Sequence, residues 1–135
     1  MEWTGGCLCG AIRYRASQAP RWAAHCHCSM CRKVSGAPFL TFVEFPEGTF
    51  AWTLGEPRPY RSSPGVMRRF CAECGSTLTF EPDKMLFVAL GSLDQAEHVQ
   101  IESHCYTSTQ LPQIKLADGL PSYPGARGGK GGRPG

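Results

Sequence analysis

The sequence has no long apolar run, no strong net charge and little that reads as helix. Sixteen glycines and eleven prolines among 135 residues leave little room for long helices. No apolar stretch approaches the length a transmembrane helix needs, so a membrane-spanning helix is excluded. The first ten residues lack a basic region followed by an apolar one, which argues against a secretory leader. The expectation is a cytoplasmic protein that keeps its thiols reduced. A secreted disulfide scaffold is the competing reading of its eight cysteines.

Acidic residues are absent from the C-terminal end. Residues 119–135 carry Arg127, Lys130 and Arg133 and no acid. These account for the formal net charge of +3, and the remaining 11 basic residues balance 11 acids. A formally neutral body argues against sequence-independent binding of nucleic acid, which needs many cations against phosphate. Residues 125–135 have too little apolar surface to offset the entropy of ordering, so a flexible tail is expected there. Its Arg-Gly pattern leaves an RNA contact as the alternative to a solvated terminus. The expected organisation is one domain over residues 1–124 followed by this tail.

Hydrophobic residues make up 41% of the chain, enough for a core. The sequence reads as mainly β. Short β-branched or aromatic runs occur at Ala11–Arg15, Phe39–Phe45, Thr49–Thr53, Val66–Phe70, Thr77–Phe80, Leu86–Ala89 and Gln100–His104. Ile12 to Tyr14 and Thr41 to Phe45 alternate as half-buried strands do. Helical turns are expected at Ser29–Val34 and Ser108–Gln113.

The cysteines fall into groups with metal-ligand spacing. Residues i and i+2 of an extended chain share a face, so Cys7 and Cys9 can present both sulfurs to one ion. Cys71-Ala72-Glu73-Cys74 is a Cys-x-x-Cys turn followed by Gly75, which accepts the positive φ that lets the chain leave the turn. Such a knuckle supplies two ligands where a structural zinc takes four, and Cys7 with Cys9 completes a closed set of four cysteines. Cys26, Cys28 and Cys31 lie within six residues and form a claw of three sulfurs. Three protein ligands with an open fourth position is the pattern of a reactive zinc. A second structural site, closed by Cys105, His25, His27 or His104, is the alternative. His27 lies between two ligands and, in an extended chain, points away from them. A Cys-x-x-Cys redox motif would need a βαβ context, which is not visible. Cys105 reads as a small buried hydrophobe or as a fourth ligand.

These residues resemble the GFA family, named for the glutathione-dependent formaldehyde-activating enzyme and including the centromere protein V-like proteins. The resemblance runs through Gly6-Cys7-Leu8-Cys9-Gly10 with Tyr14, then Cys26-His27-Cys28-Ser29-Met30-Cys31-Arg32-Lys33 with Ser35-Gly36-Ala37-Pro38. It continues through Phe70-Cys71-Ala72-Glu73-Cys74-Gly75-Ser76, Gly91-Ser92-Leu93-Asp94 and Asp118-Gly119-Leu120-Pro121. It covers nearly everything except the tail. It implies an Mss4-like β-sheet fold and two zinc ions per chain: a structural one on Cys7, Cys9, Cys71 and Cys74, and a catalytic one on Cys26, Cys28 and Cys31. Two positions depart from the family. His104-Cys105-Tyr106 stands where His-Ile-aromatic is frequent, and Pro112-Gln113 where Pro-Trp is usual.

Three thiolates make zinc a softer Lewis acid than three imidazoles would, so the fourth position suits sulfur better than oxygen. Coordination keeps an incoming thiol deprotonated near pH 7. The expected function is a carbon–sulfur lyase or adduct-forming enzyme acting on a thiol such as glutathione and a small aldehyde such as formaldehyde. Arg32 and Lys33 are candidates to pair with glutathione carboxylates. Ser35, beside Gly36, is a candidate oxyanion donor. His27 and His104 are candidate proton carriers, with a structural role as the alternative. The competing function is a non-enzymatic zinc-binding interaction module with a protein or nucleic-acid partner. Oligomeric state is not legible in the sequence.

Overall fold

Short β-branched and aromatic runs, broken every few residues by Gly, Pro or Asp, give short strands rather than long elements. In chain order they are β1 (Trp3–Gly6), β2 (Arg13–Ala16), β3 (Trp22–Cys26), β4 (Leu40–Phe45), β5 (Phe50–Leu54), β6 (Arg58–Ser63), β7 (Val66–Phe70), β8 (Thr77–Pro82), β9 (Leu86–Ala89) and β10 (Ser103–Cys105). One α-helix, α1 (Ser29–Ser35), and three 3₁₀ turns complete the described elements. This computed structural model describes residues 1–126. The expected tail falls, from residue 127 onward, outside the described residues. Among the described residues the fold is mainly β, and no helix is long and apolar enough to cross a membrane.

The chain divides into two compact units. The first comprises Met1–Trp22 with Val43–Val99. In it β1, β2 and β5 form an antiparallel sheet in that order. Gly5 pairs with Tyr14, and Trp3 with Ala16, so the buried residues of both strands share one face. The Tyr14 ring packs between Phe50 at 5.0 Å and Trp52 at 5.8 Å. Its hydroxyl lies 2.5 Å from Ser92 Oγ. Strands β6 to β9 run as an antiparallel meander, with Leu78 and Val88 fully buried. Arg68 of β7 is buried over the Phe80 ring, 4.8 Å from its centroid.

The second unit comprises Ala23–Phe42 with the described residues from Gln100 onward. Here β10 runs parallel to β3, with His104 beside His25 and Cys105 beside Cys26, and β4 flanks β3 on the other side. α1 starts directly after Cys28 and ends at Gly36, whose αL backbone closes it.

Several elements differ from the sequence reading. Strand β4 does not alternate: Phe42, Val43, Glu44 and Phe45 are all buried. A strand packed on both faces loses the polar-out pattern, and Glu44 keeps an ion-pair partner in Arg21 at 3.9 Å. The run expected over Gln100–His104 is a strand only at its end, as Ser103–Cys105, which reaches one residue past the expected bound. The turn expected over Ser108–Gln113 is a 3₁₀ turn at Thr107–Thr109. Strands β1, β3 and β6 had no counterpart among the expected runs, because Gly-Gly, Ala-Ala and Arg-Pro carry little β-propensity of their own.

Candidate metal centres

All eight cysteines are free thiols, and seven of them converge in two groups. The first group lies wholly in the first unit. Cys7 and Cys9 follow β1, and Cys71 and Cys74 lie on the turn between β7 and β8. Their four sulfurs are within 4.8 Å of one another, with Cys7 to Cys9 at 3.6 Å and Cys9 to Cys71 at 3.7 Å. A tetrahedron with Zn–S bonds of about 2.3 Å has S···S edges of about 3.8 Å, so the donor set fits a zinc ion. Amide groups support the sulfurs. Ile12 N–H donates to Cys7 Sγ at 3.2 Å and Cys74 N–H to Cys71 Sγ at 3.5 Å. Ser76 Oγ lies 3.1 Å from Cys74 Sγ and accepts Leu8 N–H at 3.0 Å. The Ser76 contact, together with nearby amides, lowers the Cys74 thiol to about 5. Gly75 takes a φ of +79° and returns its N–H to Cys71 O at 2.8 Å, which closes the turn.

The second group lies wholly in the second unit. Cys26 ends β3, Cys28 is the N-cap of α1, and Cys31 lies in its first turn. All three are buried and their sulfurs lie within 4.8 Å of one another. Among the described residues no fourth donor joins them. Cys28 Sγ accepts Cys31 N–H at 3.3 Å, so the helix cap and the claw are the same atom. Three crowded thiols do not ionise alike. Cys28 is pushed down by hydrogen bonds from Cys26 and Cys31. Cys26 is pushed up by its bond to Cys28, and Cys31 is raised by its bonds to both. Without a cation one sulfur holds the charge and the others keep protons. A divalent ion would allow all three to ionise, and the soft donor set fits zinc.

The remaining expected site residues are placed as follows. Arg32 is half-buried, and its Nε is buried without a hydrogen-bond partner among the described residues. Lys33 is exposed in the last turn of α1. Ser35 donates its proton to Cys31 O at 2.7 Å and accepts Ala37 N–H at 3.1 Å. His27 is fully buried and turned to a histidine cluster, with Nε2 3.0 Å from His104 Nδ1. Burial, then the neighbouring His104 and His25, lowers His27 to about 4, so its ring is neutral at pH 7. Cys105 is buried outside the claw, with its sulfur 3.8 Å from Ser103 Oγ.

Two features escaped the sequence. Tyr106 sits beside the claw in the left-handed region at φ 56°, rare for a bulky residue. Burial raises its phenol to about 12, with Cys26, Cys28, Cys105 and Cys31 adding to the effect. Asp118 is the other: its Oδ2 lies 2.7 Å from His104 Nε2. It belongs to the Asp-Gly-Leu-Pro block, whose spacing alone points to no chemistry.

A curated relative is an uncharacterized lyase of Schizosaccharomyces pombe, 36% identical over 81 residues, or 58% of this chain. The match spans 57% of that protein's length. A crystal structure of a Rhodobacter sphaeroides protein superposes with a TM-score of 0.52 at 18% identity, over 88% of this chain and 98% of the other. At that identity the likeness concerns the fold alone. The family profile described as glutathione-dependent formaldehyde-activating enzyme, GFA, matches residues 2–109, and the chain belongs to this family.

Proposed function

We propose that the protein is a zinc-dependent carbon–sulfur lyase, or the reverse adduct-forming enzyme, acting on glutathione and a small aldehyde. The observation that carries this reading is the three-sulfur claw, which has three buried donors and no fourth among the described residues. Family membership and the lyase name of the yeast relative support the reaction class. A zinc ion held by Cys26, Cys28 and Cys31 supplies a soft position for an external thiol and keeps that thiol ionised near pH 7. In the adduct-forming direction the thiol sulfur bonds to the aldehyde carbon, and the carbonyl π pair moves to oxygen, which takes a proton. In the lyase direction that carbon–sulfur bond breaks, and the thiol and aldehyde separate.

The chain's own residues supply position and charge. Cys31 N–H holds Cys28 Sγ in place, and α1 carries Arg32 and Lys33 one and two residues beyond the claw. Both cations suit the two carboxylates of glutathione. The partly buried Arg32, with an unpartnered Nε, is the stronger anchor. Cys7, Cys9, Cys71 and Cys74 form the structural site, since four sulfurs leave no position for a substrate.

The test uses cobalt-loaded protein titrated with glutathione. The expected result is a change in the cobalt visible bands that saturates, disappears in Cys28→Ser and is accompanied by catalysed formation or cleavage of the glutathione–formaldehyde adduct, followed by NMR. Bands unmoved at saturating thiol would overturn the reading and leave a closed zinc module.

A further inference from the structure

A third set of donors lies in the second unit, apart from both cysteine groups. His25, His104 and Asp118 each offer one ligand atom, and these atoms lie within 4.8 Å of one another. We propose that His25, His104 and Asp118 form a separate binding site for a divalent cation of the zinc class, with nitrogen and oxygen donors only.

Each donor is already oriented by a partner behind it. His25 Nδ1 lies 2.6 Å from Thr41 Oγ1, which leaves Nε2 without a hydrogen-bond partner among the described residues. His104 turns Nδ1 to His27 Nε2 at 3.0 Å and Nε2 to Asp118 Oδ2 at 2.7 Å. Asp118 Oδ1 accepts Leu120 N–H at 3.0 Å, which aims Oδ2 at the histidines. Metal-binding histidines are characteristically held this way, with the second ring nitrogen on a neighbouring polar group. Thr41, His27 and the Leu120 amide fill that role here.

The surroundings suit an ion that enters from solvent. His104 is 1% exposed, whereas the Asp118 side chain is 41% exposed, so the site is walled on the histidine side and open on the carboxylate side. Phe39 packs 4.8 Å from His25 and 6.5 Å from His104, which restricts water there. The His25 and His104 rings stack at 4.7 Å with 27° between their planes. Ligation asks for a modest change: the rings turn toward the ion, and Asp118 Oδ2 moves out to about 3.3 Å from His104 Nε2, the edge of a tetrahedron with bonds of about 2.0 Å. The ion takes the place of the proton on His104 Nε2; that proton moves to Nδ1, where His27 Nε2 accepts it, and His27 then carries its own proton on Nδ1. Two imidazoles and a carboxylate favour Zn²⁺ over Ca²⁺ or Mg²⁺, and they differ in softness from both thiolate sites.

The experiment counts metal. Full-length protein is stripped by chelation under reducing conditions, titrated with Zn²⁺ alone, freed of excess and measured by elemental mass spectrometry. The expected result is one more zinc per chain in the wild type than in Asp118→Ala, whose exposed position makes misfolding a minor risk. Thr41→Val is expected to weaken that equivalent by about 10–100-fold while keeping all three ligands. With cobalt, the equivalent lost in Asp118→Ala is expected to carry visible bands without sulfur-to-metal charge transfer. Equal metal counts in wild type and Asp118→Ala would overturn the proposal. So would a lost equivalent that carries the sulfur band, because the substitution would then have disturbed the claw.

Discussion

At Gly5 the chain has no room for a side chain. A Cβ there would lie 2.4 Å from the Ser92 carbonyl and 2.4 Å from the Tyr14 hydroxyl. Both neighbours are fixed, because Tyr14 is buried among Phe50 and Trp52 and bonds Ser92 through that same hydroxyl. Gly5→Ala is therefore expected to destabilise the protein by about 1–3 kcal/mol, the usual cost of overpacking. Gly91→Ala is the contrast, since a Cβ at Gly91 meets nothing within 4 Å and its φ is not positive. Its expected effect is within about 0.5 kcal/mol. Urea unfolding of both variants checks the pair. Equal effects would mean that the contact with Tyr14 does not set the cost. Nothing in the sequence marks Gly5 as different from Gly91, and only the fold brings a phenol over one of them.

Helix α1 has seven residues, too few to be stable alone, and has no acid in its first turn. Its two ends hold it in place. Cys28 caps the start through sulfur, and Ser35 ties the end to Cys31 O and Ala37 N. Ser35→Ala is expected to cost about 1 kcal/mol in urea unfolding, with Ser35→Thr recovering part of it. An oxyanion donor would behave differently, with activity falling while stability held, so measuring both separates the roles. The helix was legible because Cys28, Cys31 and Gly36 punctuate it. Strands β7 and β9 were legible at their observed bounds, because Val66–Phe70 and Leu86–Ala89 are apolar-rich and flanked by turn residues. Strand β3, Trp22–Cys26, was not, because Ala-Ala-His-Cys favours no element and forms a strand by pairing with β10 and β4. The same pairing sets His104 beside His25, so the third donor group depends on a long-range register that no local pattern reveals.

At the scale of the molecule, each cysteine group belongs wholly to one unit, so the consequences of losing metal are separable. The four-sulfur group was legible because a knuckle leaves two positions to fill, and Cys7 with Cys9 offers two sulfurs on one face of an extended segment. It joins segments 62 residues apart at Cys9 and Cys71, so an ion there closes a long loop that the unfolded chain leaves open. Metal bound to the folded form alone stabilises by mass action, by about 4 kcal/mol when free zinc is a thousandfold above its dissociation constant. Thermal melts across a series of zinc buffers test this. The wild type is expected to lose stability steadily as free zinc falls. Cys71→Ser is expected to bind one zinc fewer and to lose most of that dependence, since its remaining three sulfurs no longer close the first site. Cys28→Ser is also expected to bind one fewer, losing the claw's own share of that dependence but keeping the larger share of the intact four-sulfur group, which closes the longer loop. The reverse pattern, with Cys71→Ser still zinc-dependent and Cys28→Ser not, would mean that the claw is the structural centre and the four-sulfur group is not.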